Sequence, residues 1–67
     1  MSVAKVTEII SSSPTSFDDA IHKGIERAHK TLRNVEGAWV ASMKVECSNG
    51  KIVAYRVNMK VTFVLTD

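Results

Sequence analysis

Few side chains in this sequence have types and positions suited to chemistry. Trp39 and Arg56 carry planar groups able to hold an aromatic ligand: an indole stacks on a flat ring, and a guanidinium stacks on it or donates to its oxygens. Each also has a plainer use. Tryptophan is enriched at subunit contacts for its large area, and arginine commonly closes an ion pair across such a contact. Glu8, Glu36 and Glu46 offer oxygen ligands to a hard cation, yet no loop has the Asp/Asn spacing of a dedicated calcium site, which makes them solvated charges. His22 and His29 stand seven apart on one helical face, two turns from each other, whereas metal-binding pairs sit three or four apart. Met43 and Met59 read as core or interface filler. No serine or cysteine is set in a motif with His and a carboxylate, no glycine loop cradles a phosphate, and no zinc-type cluster occurs. The expectation is therefore a binding or storage protein, not an enzyme, with no metal ligands of its own.

Those residues must be positioned by 67 amino acids, enough for one domain spanning 1–67. A domain this small buries only about 60 % of the surface of its unfolded chain and needs a staple or partners. Cys47 is the single cysteine, so no internal disulfide forms; it is expected to be a small buried hydrophobe in a reducing compartment. Oligomerisation remains. The start Met1-Ser2-Val3-Ala4-Lys5 lacks the features of a signal peptide and no run of about 18 apolar residues exists, which predicts a soluble cytoplasmic protein without a membrane partner. Nine Lys/Arg against seven Asp/Glu are scattered, and one Trp, one Tyr and two Phe are dispersed, so no nucleic-acid surface is indicated.

The β-branched run Val3–Ile10 predicts a first strand, stopped by Ser11-Ser12-Ser13-Pro14. Ser16 is a helix N-cap with Asp19 in the capping-box position, and Asp18 and Asp19 suit the positive end of the helix dipole. Phe17, Ala20, Ile21, Ile25, Ala28, Leu32 and Val35 lay one apolar stripe along a helix of about five turns, with Gly37 as its stop. Asp19 with Lys23 and Glu26 with Lys30 are i,i+4 pairs. Gly24 inside the helix costs about 1 kcal/mol relative to alanine and predicts a close backbone approach. Ala38–Cys47 forms a second strand, and Asn49-Gly50 joins it by a two-residue turn to a third, Lys51–Leu65. In that third strand Val53, Tyr55, Val57, Met59, Val61, Phe63 and Leu65 point one way and Arg56, Asn58, Lys60 and Thr62 the other. A right-handed crossover makes the first two strands parallel with the third between them. The fold class is α+β: strand, helix, strand, strand, with an antiparallel-type sheet of order 1-3-2 packed on one helix.

The two-residue turn sets Ser48 opposite Lys51, which places Ala38, Val40 and Ser42 with Met59, Val57 and Phe63 beneath the helix. Trp39, Ala41, Met43, Val45 and Cys47 then form an apolar ridge beside Arg56, Asn58 and Lys60. A three-residue loop would instead carry Trp39 and Met43 onto the helix face. Under the preferred register one helix cannot shield both sides of the sheet, and the ridge marks an interface or a ligand site in a closed homo-oligomer.

Lys5-Val6 and Glu8-Ile9, Ser13-Pro14, Ala20-Ile21, Arg27-Ala28, Thr31-Leu32-Arg33 and the run Tyr55–Phe63 together resemble the dodecins, over nearly the whole chain. That resemblance implies a hollow homododecamer that binds and stores a flavin, FMN or riboflavin. In flavin-binding dodecins a Trp after the helix stacks on the isoalloxazine ring and a Gln in the last strand bonds its polar edge. A gapless alignment puts Gly37 at the Trp, Trp39 at a usual Glu, and Arg56 at the Gln. This looks closer to a branch of the family linked to calcium, which makes an ion-binding or purely structural shell the alternative. Flavin binding stays in view because Trp39 shares a face with Gly37 about 7 Å further along the strand, and Gly37 leaves space for an indole or a ring. Adding two residues before Trp39 and removing two at the hairpin would restore Trp39 to the stacking place. Gly37, Trp39 and Arg56 are thus the candidate cofactor-binding residues.

Overall fold

The computed structural model describes residues 3–65; residues 1–2 and 66–67, the ends of the expected 1–67 domain, lie outside the described residues. The chain runs β1 (Val3–Ser13), α1 (Phe17–Thr31), β2 (Val35–Ser48) and β3 (Lys51–Leu65). β3 lies between the other two and is antiparallel to both, giving the expected order 1-3-2. Asn49 (φ 53°) and Gly50 (φ 76°) are both left-handed, as a type I′ turn requires, and Ser48 pairs with Lys51.

Three elements depart from their expected bounds, β2 running from Val35 to Ser48 in place of Ala38–Cys47. β1 continues through its serines to Ser13, because Ser11, Ser12 and Ser13 pair with Val57, Arg56 and Tyr55. α1 ends at Thr31, with Leu32 already extended as its C-cap, so it has about four turns instead of five. The stop is Asn34, not Gly37: Asn34 takes φ 59°, a left-handed turn that asparagine tolerates, and the β-branched Val35 opens β2. Leu32 and Val35 still pack on the core from outside the helix.

That core is thin. Val57, Met59 and Val61 of β3 are fully buried beneath Ala20 and Ala28 of α1. Gly24 is the close approach the sequence predicted: a Cβ there would come within 2.5 Å of Met59 Cε and 3.0 Å of Ser11 Cβ. Phe17 meets Tyr55 edge to face with ring centroids 5.1 Å apart, anchoring the helix start to β3.

The N-terminal cap works as expected, but the capping box does not close. Asp19 N–H donates to Ser16 Oγ at 3.0 Å, while the Asp19 carboxylate turns away to Lys23 Nζ at 3.3 Å and to the hydroxyl of the buried Ser13 at 2.6 Å. Glu26 and Lys30 form no ion pair, which costs little at an exposed i,i+4 position. The Ser13 hydroxyl holds the Asp19 carboxyl below its ordinary pKa of 3.8, outweighing desolvation, with Lys23 adding to the effect. A depressed carboxylate stabilises the fold above its unfolded-state pKa and loses that contribution as pH falls through the folded value. Ser13→Ala should therefore lower the melting temperature at pH 7. The gap to the native chain should narrow in melts below pH 4, and a gap constant down to pH 2 would refute the linkage.

One helix cannot cover this sheet. Fifteen residues of helix span about 22 Å, whereas fifteen of strand span about 50 Å, and the long axis of the molecule is 51 Å. The accessible surface is 5020 Å², against about 4,200 Å² for a compact monomer of 7.4 kDa. Nearly all of β2 is exposed.

Candidate functional site

The ladder of the sheet sorts side chains by face, since directly paired residues in an antiparallel sheet point the same way. On the side away from α1, successive rungs carry Val6, Thr62 and Gly37; then Glu8, Lys60 and Trp39; then Ile10, Asn58 and Ser42; then Ser12, Arg56 and Lys44. Trp39 and Gly37 therefore share the open face, and Trp39 stands 63 % exposed. Its indole is not tucked beneath its own helix. A Cβ at Gly37 would meet nothing within 4 Å, so the room expected beside Trp39 exists.

Beyond Val40 the expected faces are wrong. An irregularity between Val40 and Ser42 leaves Ala41 of β2 unpaired, and one between Glu46 and Cys47 leaves Val53 of β3 unpaired. A bulge shifts the alternation by one residue, so the stretch between them is inverted relative to a regular hairpin. Ser42, expected beneath the helix, pairs with Asn58 on the open face; Met43 and Val45, expected on the open ridge, pair with Val57 and Tyr55 on the helix side. They lie past the reach of α1, where Met43 is 52 % and Val45 38 % exposed. The apolar surface is thus real but divided: Val6, Ile10 and Trp39 on one face, Val40, Met43 and Val45 on the other. Cys47 is exposed, contrary to the expected buried position, because it sits near the bare end of the hairpin.

Arg56 shares the open face with Trp39 but four residues along β3 from Lys60, the cross-strand partner of Trp39, a distance of roughly 13 Å. The two do not converge on one point. Arg56 Nη2 holds Glu46 Oε1 at 2.8 Å within the same chain, where an intersubunit ion pair was the alternative to a ligand role. Because both groups are more than a third exposed, this pair adds little to stability. Beside Arg56 a depression of about 240 Å³ is lined by Ile10, Ser42, Lys44, Arg56 and Asn58. Arg56 Nε and Asn58 Oδ1 are shielded there with no hydrogen-bond partner.

A larger hollow of about 420 Å³ runs between α1 and β1, with Ile9, Ala28 and Leu32 in its lining and Lys23 and Arg27 at its edge. Its two cationic side chains are already engaged, Lys23 by Asp19 and Arg27 by Thr31. Asn58 was expected on the face of Arg56, but Ser42 and Lys44 were not legible there. Two bulges had to be known first, and no residue pattern announced them.

His22 and His29 are exposed on α1. Among the described residues no three His, Cys, Asp or Glu side chains stand close enough to hold a metal ion, and no helix is long and apolar enough to cross a membrane.

Comparison with known proteins places this geometry. The Dodecin family model matches residues 3–66. A curated relative, the calcium dodecin of Mycobacterium tuberculosis, is 32% identical over 63 residues, covering 94% of this chain and 89% of its own. Its crystal structure, described as that of a calcium-chelating antigen with a novel calcium-binding site, superposes with a TM-score of 0.82, covering 96% of this chain and 91% of that one. The dodecin from Streptomyces davaonensis superposes with a TM-score of 0.94 at 36% identity, covering 98% and 97% of the two chains. That from Streptomyces coelicolor has the same TM-score at 27% identity, covering 98% and 94%.

Proposed function

The chain belongs to the dodecin family, and on that premise we propose that it binds a flavin, FMN or riboflavin, and stores or sequesters it within a closed homododecamer. It acts as a binding protein, without turnover. The observation that carries this reading is Trp39: an indole 63 % exposed on the face the helix leaves bare, with open space beside it at Gly37. A large aromatic exposed on a sheet face suits a flat, electron-poor ring, and copies of the chain meeting over this face would exclude water from the stack. Because the depression at Arg56 is roughly 13 Å away, Trp39 supplies the stacking and more distant groups of the same face supply the polar grip.

Adding the native protein to riboflavin or FMN should quench flavin fluorescence, and Trp39→Ala should abolish most of the quenching. Absorbance near 450 nm in the purified protein, a property of the chromophore, would support the same reading. Flavin emission unchanged by excess native protein defeats it.

A second reading is supported by the calcium dodecin relative. Calcium takes six to eight oxygens, and the described residues of one chain bring no acidic cluster together. A calcium site here would have to join carboxylates such as Glu8 or Glu36 from several copies. Calorimetric titration of calcium into the flavin-free protein separates the two readings.

A further inference from the structure

We propose that the hairpin turn is a site of spontaneous covalent modification: in the folded protein the Asn49 side-chain amide closes on the main chain of Gly50, and the ring reopens to aspartate and isoaspartate. The reaction consumes only water. The Gly50 main-chain nitrogen attacks Asn49 Cγ; a C–N bond forms there, the bond from Cγ to Nδ2 breaks, and Nδ2 leaves as ammonia with the proton that the Gly50 nitrogen gives up. Water then opens the imide at either carbonyl. Opening at Cγ leaves an ordinary aspartate, and opening at the main-chain carbonyl routes the backbone through the side chain as isoaspartate.

The chain has three asparagines, Asn34, Asn49 and Asn58, and Asn49 alone meets the requirements, which are a free amide nitrogen and an unhindered approach. A two-residue turn leaves both of its central N–H groups outside the ladder. Glycine puts no side chain beside the attacking atom, and nothing stands within 4 Å of where a Cβ of Gly50 would lie. Asn49 is exposed, and its side chain holds no hydrogen bond among the described residues. Asn34 has a similar left-handed φ, 59° against 53°, but its amide donates to Val64 O at 3.5 Å and the β-branched Val35 follows it. Asn58 precedes the fully buried Met59 in the central strand, where the ladder holds the backbone on both sides.

Ring closure also needs the peptide plane after Asn49 to turn, so the tip has to open. Only two rungs, Ser48 with Lys51 and Cys47 with Ile52, lie between the turn and the irregularity that leaves Val53 unpaired. All four residues are exposed. A short exposed ladder end opens at little cost while the core stays folded. The same irregularity limits the damage. Isoaspartate adds one carbon to the main chain of a turn built for two left-handed residues, which breaks these two rungs and stops at Val53.

The test ages the native protein in mildly alkaline buffer at physiological temperature and maps it with trypsin, which places the asparagines in separate peptides, 34–44, 45–51 and 57–60. Asn49 should convert faster than Asn34 or Asn58 by a factor of roughly ten or more, because a fraying tip competes with residues that open only with larger parts of the fold. Its products should separate into two peptides of equal mass, one of them a substrate for a protein isoaspartyl methyltransferase. Conversion of Asn49 no faster than that of the other two overturns the inference. So does ordinary aspartate as the single product, since that is direct hydrolysis without the ring. The assembled protein is used, so a turn covered by another copy registers as an amide retained at Asn49 and counts against the inference.

Discussion

Met43→Asp is expected to break the assembly. Light scattering on the native protein should give about 89 kDa, twelve copies of the 7.4 kDa chain, and the variant should elute as much smaller particles with a lower melting temperature. In an isolated chain the same change would be nearly silent, because Met43 is 52 % exposed and surface substitutions usually fall within about 0.5 kcal/mol. The two outcomes are therefore far apart. Met43 lies with Val45 on the helix side of the sheet but beyond the helix. If a second copy covers this surface, an ionised carboxylate placed there loses its water without gaining a partner, at a cost of several kcal/mol. A native mass near 7.4 kDa at micromolar concentration, or an unchanged mass in the variant, would sink this expectation.

The second large effect concerns Met59, the bulkiest side chain of the core and fully buried. Met59→Ala should cost about 2–5 kcal/mol, a large share of the roughly 3–10 kcal/mol that a chain of this length has in total. Its partner in this effect is Gly24. In the native chain Gly24→Ala gains about 1 kcal/mol of helix propensity, but the new methyl meets Met59 Cε at 2.5 Å and Ser11 Cβ at 3.0 Å, an overpacking worth about 1–3 kcal/mol. A net loss is expected. Once Met59 is alanine the first obstruction is gone, and Gly24→Ala refills part of the hollow, so it should become neutral or stabilising. Urea unfolding of the four proteins measures the coupling, expected at about 1 kcal/mol or more. Strict additivity of the two substitutions would show that the close approach at Gly24 is not a packing constraint.

Much of the fold was legible because local rules govern it. The alternation from Val53 to Leu65 allows one face for Val57, Met59 and Val61, and all three are buried. Asn49-Gly50 demands a turn with two positive φ angles, and it has them. Ser16 caps the helix by bonding the N–H of Asp19. The helix end was harder. Leu32 and Val35 keep the stripe apolar whether or not the backbone is helical, so the spacing of hydrophobic residues ran on past Asn34, where the chain actually turns.

The site was legible only in part. Trp39 stands on the bare face as the hairpin register expects, because the irregularities at Glu46/Cys47 and Val40/Ser42 both lie between it and the turn and cancel. Residues between those two irregularities were assigned to the wrong face, and Ser42 and Lys44 escaped notice as neighbours of Arg56. Element order, turn type and the buried face of β3 were determined by the sequence itself, because each depends on period or turn chemistry within a few residues. The inverted stretch of β2, the Arg56–Glu46 pair and the depression beside it were decided only by tertiary structure. A bulge is settled by how two strands seat against each other over their whole length, and one unpaired residue exchanges every side chain between faces until the next bulge restores the alternation.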